Sequence, residues 1–276
     1  MIALHARRSH ASIVRYSWAF PERPLVVTLT GTDVYRDIHG DADARQSLVL
    51  ASRLIVLQEM ALHELESGLR SKVRVVYQSA RRTRRLPPLR GCFEIVVSGH
   101  LRSEKDPFRA AAALRHLPAT SRLRVTHVGG ALSKEMAAEA ARWMAQEPRY
   151  RWHGEVPHGR ALQFLARSRA MVISSELEGG ANVVSEALRL GTPVIASRIS
   201  GNIGMLGKDY PGYYTVRDDH ALAAVLARFE TDTAFRRLLA HACAARAKLV
   251  TPARESAALA NVLAEVTRAQ PRRHAA

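Results

Sequence analysis

Cysteine is almost missing from this chain of 276 residues: only Cys92 and Cys243 occur. Neither belongs to a Cys-x-x-Cys pair or to a Cys/His cluster with metal-ligand spacing. A disulfide framework is excluded by count, and no zinc or other metal site is expected. So few cysteines fit a reducing compartment, and a cytoplasmic location is expected. No apolar run approaches the ~20 residues of a membrane span. The opening MIALHARRSH carries basic residues but no long apolar stretch, so it does not read as a signal peptide. Aromatic residues make up only 6%. No helix-turn-helix, zinc-finger or RNP-like aromatic pattern is visible, so no specific nucleic-acid partner is expected. Acidic residues are also scarce, 25 against 41 Lys plus Arg, for a formal net charge of +16. Such an excess suits a polyanion partner, and equally a chain whose arginines are scattered over solvated helices. The scattered reading is favoured, because arginines interrupt almost every segment. Only Arg81, Arg82, Arg84 and Arg85 form a true cluster.

Hydrophobic residues reach 47%, enough for two cores. Short β-branched runs alternate with alanine- and leucine-rich stretches, which predicts βαβ units, parallel sheets and an α/β fold. Strands are expected at 24–30, 53–57 and 72–77, with helices at 44–51 and 59–69, and MIALH reads as a strand end. At 79–90 the composition changes to five arginines and two prolines without apolar periodicity. Prolines 87 and 88 fit neither a helix interior nor a central strand. The expected organisation is a domain at 1–80, a linker at 81–91 and a second domain at 92–276. In the second domain the spacing predicts strands at 93–97, 124–128, 150–152, 170–174 and 193–197. Helices are expected at 106–117, 133–145, 160–166 and 182–190, with a helical tail over about 220–267. The first domain looks short of elements beside the second.

The strongest chemical pattern is Glu178-Gly-Gly-Ala-Asn-Val-Val-Ser-Glu186, between a buried-type strand and a helix. Gly179 and Gly180 permit a tight turn with bare backbone. Asn182 is expected to cap the helix, whose free N–H groups suit a phosphate or a row of sugar hydroxyls. Glu186, one turn in, can accept from ribose hydroxyls. The second pattern is Ser98-Gly-His-Leu-Arg-Ser-Glu-Lys-Asp-Pro107. Gly99 allows close approach, Asp106 and Pro107 read as N-cap and first helical residue, and Arg102 and Lys105 suit a departing pyrophosphate. Strand ends at His127-Val-Gly129-Gly130 and Trp152-His153-Gly154 line the cleft or serve as plain turns, and Trp152 also fits core packing. Ser200-Gly-Asn-Ile-Gly204 faces the same edge. In the first domain, His5-Ala-Arg7-Arg8-Ser9 and Leu29-Thr-Gly31-Thr32-Asp33 project from carboxyl ends of strands, where open α/β sheets bind ligands. Arg7 and Arg8 suit an anionic acceptor. Asp33 reads as a base, an orienting group or a structural residue.

Residues 97–201, with the E-x7-E pair Glu178/Glu186 and the cations Arg102 and Lys105, resemble the retaining glycosyltransferases of the GT4, glycogen-phosphorylase-like GT-B family. The resemblance implies two Rossmann-like domains facing a cleft, with no metal cofactor. It implies that Glu186 binds ribose and that Glu178 and the amides of Gly179, Gly180, Ala181, Asn182 and Val183 bind the sugar. Arg102 and Lys105 would bind the pyrophosphate, making Arg102, Lys105 and Glu178 the catalytic set. Gly99, Gly129, Trp152 and His153 complete the donor set.

The segments HARRSHASI, LTGTDVYRDI, VYQSA, GHLRSEKDP, YRWHGEVPH, EGGANVVSEAL and SRISGNIGMLGKDYPGYY are similar to the selenosugar synthases of selenoneine biosynthesis, over residues 5–214. Those enzymes join selenophosphate to the sugar of a UDP-sugar, typically UDP-N-acetylglucosamine, through a carbon–selenium bond. The likeness implies an acceptor set of His5, Arg7, Arg8, Gly31, Thr32 and Asp33. Members of that group carry a further strand, a glycine-containing loop and a helix before the segment matching Met1. A GT4 enzyme with a hydroxyl acceptor, or a truncated form that only binds the UDP-sugar, are the other readings.

Overall fold

The computed structural model describes residues 1–268. The first sheet is parallel and runs in chain order: β1 (Ile2–Leu4), β2 (Val26–Thr28), β3 (Arg53–Val56) and β4 (Val73–Val75). Helix α1 (His10–Ala19) links β1 to β2, and α2 (Ala42–Leu50) lies between β2 and β3, capped by the Asp41 carboxylate accepting from Ala44 N at 2.9 Å. Ile13, Val27, Leu48 and Leu54 fill the core between these layers. The helix expected over 59–69 is instead two 3-10 turns, Glu59–Glu64 and Ser67–Lys72. The chain extends at Leu65 (ψ 141°), which drops its side chain into the core and ends the first turn.

The second sheet is also parallel: β5 (Phe93–Ser98), β6 (Leu123–Val128), β7 (Tyr150–Trp152), β8 (Ala170–Ile173), β9 (Val194–Ser197) and β10 (Tyr213–Tyr214), in the order β10-β9-β8-β5-β6-β7. The strand order reverses between β5 and β8, the place where doubly wound sheets open a ligand crevice at their carboxyl ends. The two inner strands β8 and β9 are buried at every residue, as helices on both faces of a parallel sheet require. Those helices are α3 (Arg109–Leu114), α4 (Lys134–Gln146), α5 (His158–Arg167), α6 (Asn182–Leu190), α7 (Ser200–Leu206), α8 (Asp219–Thr231) and α9 (Thr233–Arg246).

Two helix starts differ from expectation. Helix α3 begins at Arg109, because Asp106 adopts a left-handed conformation (φ 43°) and binds the Arg109 guanidinium at 2.7 Å instead of capping. At α6 the cap position is Ala181, and Asn182 is the first helical residue, its side chain turned to Glu186.

The last helix, α10 (Pro252–Arg268), returns to the first domain. Val262 and Val266 pack on Val26, Ile55 and Val76, and Glu265 is held by Arg53 at 2.9 Å and Arg74 at 2.7 Å. The tail therefore packs on the first sheet, while the sequence boundary groups it with the second. The arginine-rich linker runs extended along the second domain. Arg85 pins it by donating to the carbonyls of Leu165 (3.2 Å) and Ser168 (2.9 Å).

Candidate active site

A cleft of about 480 Å³ lies between the domains, lined from both sheets at their carboxyl ends. From the second domain, the segment after β5 brings Arg102, Glu104 and Lys105, and the segment after β8 brings Glu178, Gly179 and Gly180. From the first, β1 leads to His5 and Arg8, and β2 to Thr30, Gly31 and Thr32. The separate motifs in the sequence thus meet in one space.

Glu178 is only 7% exposed, and its Oε1 accepts from the Ser175 hydroxyl at 2.6 Å and from the Lys105 ammonium. The second cation, Arg102, pairs with Glu104 at 2.7 Å, while its Nε is buried without a partner. Both cations stand on a 3-10 turn after β5 rather than at a helix start. Glu104, Ser175 and Leu177 carry no motif of their own, and only their places after β5 and β8 could have selected them.

Beside the cleft, Gly99 and Val183 line a small hollow with His127. Burial pushes the His127 ring down to about 4, so it is neutral at physiological pH. Its Nε2 lies 3.1 Å from the Gly99 carbonyl and its Nδ1 3.0 Å from the Tyr150 hydroxyl. A neutral ring therefore donates from Nε2 and accepts at Nδ1, which fixes the backbone of the Gly99 turn. Gly129 (φ 144°) packs directly on that turn, and an added Cβ would run into the Gly99 backbone. Trp152 Nε1 donates to the Gly129 carbonyl at 2.8 Å, so the indole braces the loop. His153 lies against Phe164 with ring centroids 5.1 Å apart. Ala181 is buried in the core. Glu186 Oε1 is 2.7 Å from His158 Nε2 and 3.2 Å from Asn182 Nδ2. His158 was not legible as a site residue; its partner lies 28 positions away.

In the first domain, His5 (φ 73°) turns its ring inward, with Nδ1 2.6 Å from Asp33 Oδ1 and Nε2 3.0 Å from Thr32 Oγ1. Asp33 is fully buried behind His5. Desolvation pushes its carboxyl up, opposed chiefly by the Thr30 backbone N–H at 2.9 Å and by His5. Out of reach of the cleft, Asp33 orients His5 and is not a base toward substrate. Arg7 also leaves the acceptor set: it turns away to Asp41 at 2.8 Å, and Arg8 alone of the pair faces the cleft. His5, Asp33 and Asp37 are the one metal-like trio among the described residues. Two ligands each about 2.1 Å from an ion stand about 3 Å or more apart. His5 Nδ1 and Asp33 Oδ1 stand closer than that, in a direct charge contact at 2.6 Å.

The family model for glycosyl transferases group 1 matches residues 88–250. The chain belongs to that family. A glycogen synthase of Mycobacterium tuberculosis is 32% identical over 121 residues, 41% of this chain. The chain spans only 28% of the length of that relative. Among solved structures, Anabaena HepE (Alr3699), crystallised with UDP and glucose, superposes with a TM-score of 0.79 at 17% identity, covering 96% of this chain and 78% of that one. The sucrose-phosphate synthase of Thermosynechococcus elongatus gives 0.75 at 17%, covering 97% and 73%. At such identities the likeness concerns the fold: two Rossmann-like parallel-sheet domains in the GT-B arrangement.

Proposed function

We propose that this group 1 glycosyl transferase moves a sugar from a UDP-sugar, typically UDP-N-acetylglucosamine, to a small anionic acceptor, selenophosphate. The observation that supports this reading is the meeting of Arg102, Lys105, Glu178 and the bare Gly179–Gly180 backbone opposite His5, Arg8 and Thr32. Glu186 takes the ribose hydroxyls, and the two cations take the pyrophosphate. As the C1–O bond breaks, negative charge collects on the departing UDP, where Arg102 and Lys105 stabilise it. The donor diphosphate displaces the carboxylates that these cations hold in the free protein, and no metal ion is needed for that neutralisation. Arg8 attracts the acceptor, selenium attacks C1, and a C–Se bond replaces the bond to UDP. A reducing cytoplasm suits a selenium nucleophile and the unpaired Cys92 and Cys243.

The test is UDP release from UDP-N-acetylglucosamine with and without selenophosphate. Release that requires selenophosphate and is lost in Arg102→Ala and Lys105→Ala supports the reading. The match to a glycogen synthase favours a second acceptor class, a sugar hydroxyl. Release driven by a hydroxyl acceptor with selenophosphate inert would establish that class instead. UDP binding without turnover toward either acceptor would leave a donor-binding form.

A further inference from the structure

The arginine cluster takes no part in the cleft, yet its position is specific. Between Glu66 and Glu94 the chain holds no acidic residue. Arg81, Arg82, Arg84 and Arg90 are exposed and make no ion pair among the described residues. The strip is not loose: Arg85 ties it to the carbonyls of Leu165 and Ser168, and Leu86 N donates to the Ala166 carbonyl at 3.1 Å. These anchors lie just before β8, at the amino-terminal edge of the second sheet. The same edge holds a hollow of about 360 Å³ that includes the exposed Arg122 and Arg169. Its one carboxylate, Glu230, is already taken by the Ser121 hydroxyl and the Arg122 backbone N–H, each at 2.7 Å. Arg169 lies over the Phe93 ring at 5.6 Å and makes no ion pair among the described residues. Between the arginines, Leu86 and Leu89 are 38% and 41% exposed beside Pro87 and Pro88.

We propose that the linker and the amino edge of the second sheet form a docking surface for an anionic phospholipid bilayer. Fixed arginines without counter-ions attract a negatively charged surface, and the two leucines between them enter the headgroup boundary. A single-stranded nucleic acid would need a row of aromatic platforms for its bases; residues 79–92 contain none, and Phe93 in the hollow is already covered by Arg169. The linker leaves the cleft at Gln78 and reaches the amino ends of the strands at Arg85, and none of its arginines lines the cleft, so a docked protein keeps its cleft open to solution.

The experiment is co-sedimentation of the full chain with vesicles of phosphatidylcholine alone and of phosphatidylcholine with phosphatidylglycerol. It compares the Arg81→Ser/Arg82→Ser/Arg84→Ser variant with a charge-matched control, Arg15→Ser/Arg45→Ser/Arg237→Ser, removed from other surfaces. Binding is expected only with phosphatidylglycerol, weakening with salt. The linker triple should lower the partition coefficient on the order of 100-fold and the control by only a few-fold. Leu86→Ser/Leu89→Ser should weaken vesicle binding further than salt alone does, and turnover of soluble substrates should be unchanged in the linker variants. Equal losses in the two triples would reduce the effect to net charge and overturn the proposal. So would equal binding to both vesicle types, or tighter binding to a random oligonucleotide than to phosphatidylglycerol vesicles.

Discussion

Replacing Gly31 with alanine is expected to hold the cleft open. Gly31, after β2, packs on Gly179, after β8, and an added Cβ would stand 2.6 Å from the Gly179 backbone nitrogen. Ordinary contact begins at 3.4 Å, so the two loops must separate by about 0.8 Å. The nearest atom is backbone, which cannot swing aside as the Leu177 side chain, 3.1 Å away, could. Displacement of reacting groups by ~1 Å can cost ~100-fold in rate. A fall in kcat/KM of about 10- to 100-fold is therefore expected for UDP release. Gly31 is not in the left-handed region, so alanine brings little backbone strain and the melting temperature should move little. Gly40→Ala, whose Cβ would meet nothing, serves as control and should leave turnover unchanged. Turnover of Gly31→Ala within twofold of the parent would refute the claim that this glycine contact belongs to the working state.

Three further outcomes follow from particular contacts. Glu186→Gln should raise KM for the UDP-sugar about tenfold with a smaller change in kcat, as loss of a charged hydrogen bond made equally in ground and transition states requires; a pure kcat effect would remove Glu186 from the ribose. His127 is held near 4 in the fold against an ordinary value of 6.5. The unfolded chain thus takes up the proton first, and stability is whole above pH 6.5 and falls by about 3 kcal/mol as pH drops toward 4. Urea midpoints for the parent and His127→Gln across that window check it, and identical slopes would contradict it. Glu265 is held well down, to about 2, by Arg74 and Arg53. Its grip on α10 therefore persists until pH falls through that value, and Glu265→Ala should speed proteolytic release of α10 at neutral pH. An unchanged cleavage rate would show that the Val262 and Val266 contacts suffice alone.

Much of the second domain was legible because strands such as β8 and the Ile95–Val97 stretch of β5 are apolar runs and its turns carry glycines. The strand-turn-helix frame around Glu178 and Glu186 is found where the residue pattern places it. Helix α1 was not legible: only Ile13 is fully buried along it. The Ser9 hydroxyl, instead of capping α1, bonds the Leu4 carbonyl at 2.6 Å. Adjacent Arg7 and Arg8 are equivalent in sequence, and the left-handed turn at His5 sends one to Asp41 and the other to the cleft. Asp106 and Pro107 satisfy the local rule for a helix start. The Ser174 hydroxyl, bonded to the Asp106 carbonyl at 2.8 Å, belongs to a different strand end, and no local pattern contains it.

The return of α10 to the first sheet makes the second domain an insertion within the first. During synthesis, Val26, Ile55 and Val76 are made early, while Val262 and Val266, which cover them, emerge after the whole second domain. The sheet must therefore wait, with Val26, Ile55 and Val76 uncovered, until residues 252–268 are translated. Newly made chains are most prone to aggregate in that interval.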